Sequence, residues 1–130
     1  RDGDIPPDVA EQLAAVAADG PTDPETFRLA IEALAAECLN TRSFDTKGFT
    51  AAMAALPMDY AELYALYIGK NMLNRFRQNN GYKSGEYKKL WQGREDNEHL
   101  IELLAELGND APEQLPDRLY AGLEARYASA

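Results

Sequence analysis

Cysteine and histidine are almost missing from this chain. Cys38 and His99 each stand alone, which excludes an intrachain disulfide and a C-x-x-C metal site. Nothing near His99 completes a histidine-based triad or metal site, and it reads as a helix-surface residue. Cys38 falls in an Ala-rich helical pattern and reads as a small buried hydrophobe, not a nucleophile. No apolar run approaches the ~18–20 residues of a membrane span. No charged-then-apolar leader is visible, and the composition fits a reducing, cytoplasmic setting. The chain starts at Arg1 without a methionine, as a piece of a longer protein would.

Basic residues are also scarce. The formal net charge is −9, which argues against general nucleic-acid binding. Their distribution says more than the total. Lys70, Arg75, Arg77, Lys83, Lys88, Lys89 and Arg94 are seven of the 13 Lys and Arg residues, and Glu86 is the one acid among them. Residues 70–94 therefore carry +6 and the remainder −15. Such segregation points to an anionic ligand of limited size.

What is plentiful is helical punctuation in a globular composition that is 45% hydrophobic. Pro6-Pro7-Asp8 opens a helix to about Ala18, and Gly20-Pro21 closes it. Asp23-Pro24-Glu25 supplies a cap and a proline for a second helix ending near Asn40. Asp45 or Thr46 caps a third, over about 46–56, stopped by Pro57. Asp59 precedes the longest, about 59–79. Asp96 or a neighbour starts a helix through Leu107 with Gly108 as its C-cap, and Pro112 or Pro116 opens the last, ending near Tyr127. No strand is expected. The fold class is all-α, a bundle of about six helices in a single unit over residues 1–130.

At 100° per residue, Leu63, Leu66, Lys70, Leu73, Asn74 and Arg77 share one side of the long helix, and Tyr64, Ile68, Met72 and Phe76 the other. A helix apolar on two sides is buried. Polar groups on a buried helix need partners, at about 1–3 kcal/mol for each one left without. Lys70 and Arg77 suit phosphate oxygens, and the Asn74 amide suits a base or sugar edge. The plain alternative is pairing with acidic side chains. After the helix, Gly81-Tyr82-Lys83-Ser84-Gly85 and Tyr87-Lys88-Lys89-Leu90-Trp91 mix aromatic and basic residues between glycines, as a loop closing over a ligand would; for each ring taken singly, packing is the simpler role. Gly93-Arg94-Glu95-Asp96-Asn97 leads into a helix start, where free backbone N–H groups attract anions. Glu95 and Asp96 read there as caps, and Asn97 as a ligand contact.

The run from Leu66 to Leu100 resembles the C-terminal motifs of the dimeric dUTPases, an all-α family related to the MazG-like nucleotide pyrophosphohydrolases. The resemblance rests on G-K-N-x-L-N-x-F-R-Q-x-x-G-Y, from Gly69 to Tyr82, and on G-R-E-D-N, from Gly93 to Asn97. The first 57 residues and the last helix match only in being helical. The resemblance implies Lys70 and Arg77 as phosphate ligands, Asn74 as a deoxyuridine contact, and Tyr82, Lys89 and Asn97 as further phosphate-side contacts. It implies a dUTP- or dUDP-like nucleotide, Mg²⁺, a homodimer, and hydrolysis of dUTP to dUMP and pyrophosphate. Residues 1–57 would then be a helical lead-in, 58–108 the phosphate-binding motifs, and 112–128 a terminal helix.

One departure is clear. The family's chemistry needs E-x-x-E and E-x-x-D motifs on two helices to hold Mg²⁺. Glu32 and Glu37 are five apart and diverge around a helix, while Glu102 and Glu106 read as a solvated face. The catalytic residues are therefore unassigned. The chain reads as the C-terminal part of a longer enzyme, inactive by itself, with the metal ligands elsewhere. The alternatives are a MazG-like pyrophosphohydrolase of other base specificity, a non-catalytic nucleotide-binding module, and a helical dimerisation piece. Neither a membrane nor a nucleic acid is expected as partner.

Overall fold

The computed structural model describes residues 11, 15, 23–108 and 111–129. The helix expected over residues 8–18 lies outside them, Glu11 and Ala15 excepted. The described residues form α1 (Pro24–Thr41), α2 (Thr46–Ala54), α3 (Tyr60–Asn79), α4 (Asp96–Leu107) and α5 (Leu115–Ala128), with a two-residue ladder of β1 (Leu90–Trp91) and β2 (Arg94–Glu95). The all-α expectation holds, and that short ladder is the strand the pattern did not show. Among the described residues no helix is long and apolar enough to cross a membrane. The chain divides into two compact units, Arg1–Leu63 and Tyr64–Ala130.

In the first unit the helix boundaries follow from side-chain chemistry. The Asp23 carboxylate accepts the Glu25 and Thr26 backbone N–H groups, both at 3.2 Å, with Pro24 in the first turn. That satisfies two donors a helix start leaves open. The helix ends where Arg42 turns left-handed, φ 54°. Cys38 is half-buried, and its Sγ accepts the Asp45 N–H at 3.3 Å. α2 buries Ala52 and Met53, whereas no residue of α1 is fully buried. Phe49 of α2 packs against Phe44 and edge-on against Tyr60.

α3 starts with a reciprocal pair: Glu62 N–H donates to the Asp59 carboxylate at 2.8 Å, and Asp59 N–H to the Glu62 carboxylate at 3.0 Å. Its end is a Schellman turn. Gly81 adopts φ 82°, Tyr82 N–H reaches Arg77 C=O at 3.0 Å, and Gly81 N–H reaches Gln78 C=O. A side chain at Gly81 would be strained by that φ and would also meet Glu86.

The core of the second unit is Leu73 and Phe76 of α3, Trp91, Leu100, Leu103 and Leu107 of α4, and Leu115, Leu119 and Leu123 of α5. The leucines on α4 and α5 recur every three or four residues, the spacing that puts one stripe of each helix inward. Phe76 is its hub, meeting Tyr87, Trp91, Tyr120 and Tyr127 edge-to-face at centroid distances of 5.3–6.3 Å. Such pairs add energy beyond simple burial.

Phe76→Ala should therefore lower unfolding free energy by about 3–5 kcal/mol, measured by urea denaturation. Phe76→Leu, which keeps most of the buried volume, should lose markedly less.

Candidate functional site

Six residues from Leu90 to Glu95 make the turn that assembles the site. β1 and β2 pair antiparallel, Leu90 with Glu95 and Trp91 with Arg94. The two residues between, Gln92 and Gly93, both have positive φ, 52° and 81°. A two-residue hairpin turn of this kind matches the natural twist of paired strands, and glycine makes one of its positions strain-free. The pairing continues through Asp96 N–H to Lys89 C=O at 3.0 Å. Trp91 is fully buried beneath it, its indole N–H donating to Lys88 C=O at 2.7 Å.

The hairpin delivers Asp96 to Arg77. Arg77 Nε donates to Asp96 Oδ2 and Nη2 to Oδ1, each at 2.8 Å, and the Tyr87 hydroxyl donates to Oδ2 at 2.8 Å. The Asp96 side chain is 0% exposed and that of Arg77 18%. Burial pushes the Asp96 carboxyl upward, but the hydrogen bonds from Arg77 and Tyr87 outweigh it and hold the group below its ordinary value. Burial and the same carboxylate push the Tyr87 hydroxyl well above its ordinary range. The hydrogen bonds that Arg77 donates to Asp96 raise its pKa further.

Next to this pair, Lys70 Nζ donates to Asn97 Oδ1 at 2.6 Å, and Arg77 Nη1 faces Asn74 Oδ1 at 3.5 Å. Lys70, Asn74, Arg77 and Asn97 are thus brought together from α3 and the start of α4. Tyr82 stays half-exposed, tilted against the Tyr87 ring at 6.0 Å. Lys89 lies on the hairpin's approach and meets Glu95 at 3.5 Å, both side chains exposed.

Several expectations change here. Lys70 and Asn74 are exposed, so the penalty for burying a polar group without a partner does not act on them. The helix-buried argument holds only for Arg77, and its partner is an acid. Asp96 is no cap: Glu95 occupies that position, with the Glu98 carboxylate accepting its N–H at 3.1 Å. The loop after α3 is tied down: Lys88 N–H donates to the Tyr127 hydroxyl at 3.2 Å, and Gln92 meets Ser129 at 3.0 Å. Tyr87 and Trp91 belong to the packed cluster.

His99 is buried at 4% exposure, stacked on Trp91, with Nε2 at 3.0 Å from Trp91 C=O. The surface expectation for it fails because the hairpin folds over that face of α4. Glu102 and Glu106 are exposed, as expected of a solvated face. Glu102 pairs with Arg94 and Arg126, and Glu106 with Arg126. A separate groove of about 360 Å³ between α3 and α5 is lined by Met72, Arg75, Asn79, Asp117, Tyr120 and Glu124 among others, and by none of the six residues picked from sequence.

Residues 25–82 match the dUTPase family model. That segment holds Lys70, Asn74, Arg77 and Tyr82, while Lys89 and Asn97 follow it. It also reaches back over α1 and α2, where the motif resemblance saw only helices. Among curated proteins no match is found. For the Mg²⁺ associated with dUTPases, the donor set decides. Among the described residues no group of three His, Cys, Asp or Glu side chains can hold a metal ion.

Removing the charge of Asp96 leaves Arg77 without its partner, a loss of about 3–5 kcal/mol for a buried pair broken on one side. Asp96→Asn should lower the denaturation midpoint accordingly. The carboxyl's folded pKa lies below its unfolded value of ~3.9, so its contribution is complete above that value and is lost as pH falls through the folded one. Stability of the wild type should therefore fall more steeply than that of Asp96→Asn in acid titrations followed by circular dichroism.

Proposed function

We propose that this chain is the phosphate- and deoxyuridine-contacting part of a dUTP diphosphatase, which turns dUTP and water into dUMP and pyrophosphate. One observation carries the reading: Lys70, Asn74 and Arg77 are spaced over two turns of α3, and Lys70 meets Asn97 from a segment 27 residues away. Two cations and two amides side by side match a ligand with charged phosphates at one end and a hydrogen-bonding base or sugar at the other.

The work falls to these side chains as follows. Lys70 supplies a point charge for phosphate oxygens, held over the start of α4 by Asn97. Arg77 supplies its far edge, Nη1 and the second N–H of Nη2. Asn74 lies between them as donor and acceptor for the deoxyuridine. Asn97, with its carbonyl on Lys70, presents its NH₂ outward as a further donor. Tyr82 and Lys89 complete the phosphate side from the loop and hairpin. Mg²⁺ would take its ligands from outside the described residues. A homodimer in the cytoplasm is part of the same reading.

The full-length protein with Mg²⁺ should release pyrophosphate from dUTP, and no release would defeat the proposal. A panel of dUTP, dCTP, dTTP and UTP separates it from a MazG-like enzyme of other base specificity. Lys70→Ala should raise KM for dUTP about tenfold or more, the worth of a charge-assisted hydrogen bond. A second reading is a nucleotide-binding module without catalysis; it accords with the lack, among the described residues, of a cluster of three metal-ligating side chains. It predicts saturable dUTP binding with no pyrophosphate.

A further inference from the structure

The geometry points to Asp96 as a positioning residue that, backed by Tyr87, fixes Arg77 so that the far edge of its guanidinium, Nη1 and the second N–H of Nη2, is offered to a phosphate. The inference rests on the reading of Arg77 as a phosphate ligand given above.

Arg77 has five N–H donors, and Asp96 takes two of them, one on Nε and one on Nη2, at 2.8 Å each. On the far edge, Nη1 meets the Asn74 oxygen at a distance too long for a strong bond. Tyr87 prevents the carboxylate from turning, since its hydroxyl bonds Oδ2 at 2.8 Å. That hydroxyl cannot drift either: the Tyr87 ring stacks on Tyr127 at 5.5 Å and meets Phe76 edge-on. The plane of the guanidinium is thus set by α3, the loop and α4 together. An arginine already ordered on folding loses little further freedom when it binds an anion.

The same carboxylate also works against binding, because it cancels the charge of Arg77. The two effects have opposite signs, which makes them separable. Asp96→Asn keeps the shape but offers one acceptor and one donor where Arg77 needs two acceptors. If Asp96 merely neutralised Arg77, that variant would hold an anion more tightly; if Asp96 positions Arg77, it holds the anion less tightly.

The test is calorimetric titration of the full-length protein with inorganic triphosphate, using Arg77→Ala, Asp96→Asn, their double variant and Tyr87→Phe, with circular dichroism to confirm the helical signal. Arg77→Ala and Asp96→Asn should each weaken binding about tenfold, and the double variant should be no weaker than Arg77→Ala. Equal or tighter binding by Asp96→Asn, or losses that add in the double variant, overturns the inference while leaving Arg77 as a ligand. Unchanged binding in Arg77→Ala overturns both. Should Asp96→Asn fail to hold its helical signal, Tyr87→Phe decides. It leaves both Arg77–Asp96 bonds and should weaken binding about two- to threefold, with no further effect beside Arg77→Ala. Unchanged affinity in Tyr87→Phe then overturns the inference.

Discussion

A carboxylate without exposed surface must find a cation, and Asp96 finds Arg77. Taking a charge out of water costs several kcal/mol unless geometry and additional hydrogen bonds compensate. Here two bonds from the guanidinium and one from Tyr87 occupy both oxygens. The pair fixes where α4 begins relative to the last turn of α3, and so where Asn97 meets Lys70. Without it the polar residues on α3 would face solvent and no counterpart.

The aromatic cluster makes that pair possible. Phe76 is one residue from Arg77 on α3, and around it gather Tyr87, Trp91, Tyr120 and Tyr127. Tyr87 serves both groups, its ring within the cluster and its hydroxyl on Asp96. Trp91 holds the hairpin down from below, and His99 stacks on it from α4. Burial on this side and charge on the other are thus two faces of one arrangement. The match to the dUTPase family ends at residue 82, before the hairpin that completes it.

The basic window also changes meaning once folded. Arg77 and Arg94 are engaged by Asp96, Glu98 and Glu102, and Lys89 by Glu95. Lys70 instead meets an amide, so that contact leaves its charge in place. The +6 window of the sequence is therefore partly neutralised in the fold.

The sequence by itself determined the helices. Asp23, Pro24, Asp59, Gly81 and Gly108 are local signals whose effect extends over a turn or so, and a pattern read along the chain captures them. It also placed Lys70, Asn74 and Arg77 on one face, since that follows from helical pitch alone. What it could not show was who meets them. Asp96 looked like a helix cap and His99 like a surface residue because both depend on a hairpin of two-residue strands, too short to leave a periodicity. Contacts between Arg77 and Asp96, 19 positions apart, or Lys88 and Tyr127, 39 apart, arise only when the chain folds back on itself. The tertiary structure alone decided that Arg77 is held along one edge by Asp96 and offers the other, because a side chain's free donors are those its neighbours leave.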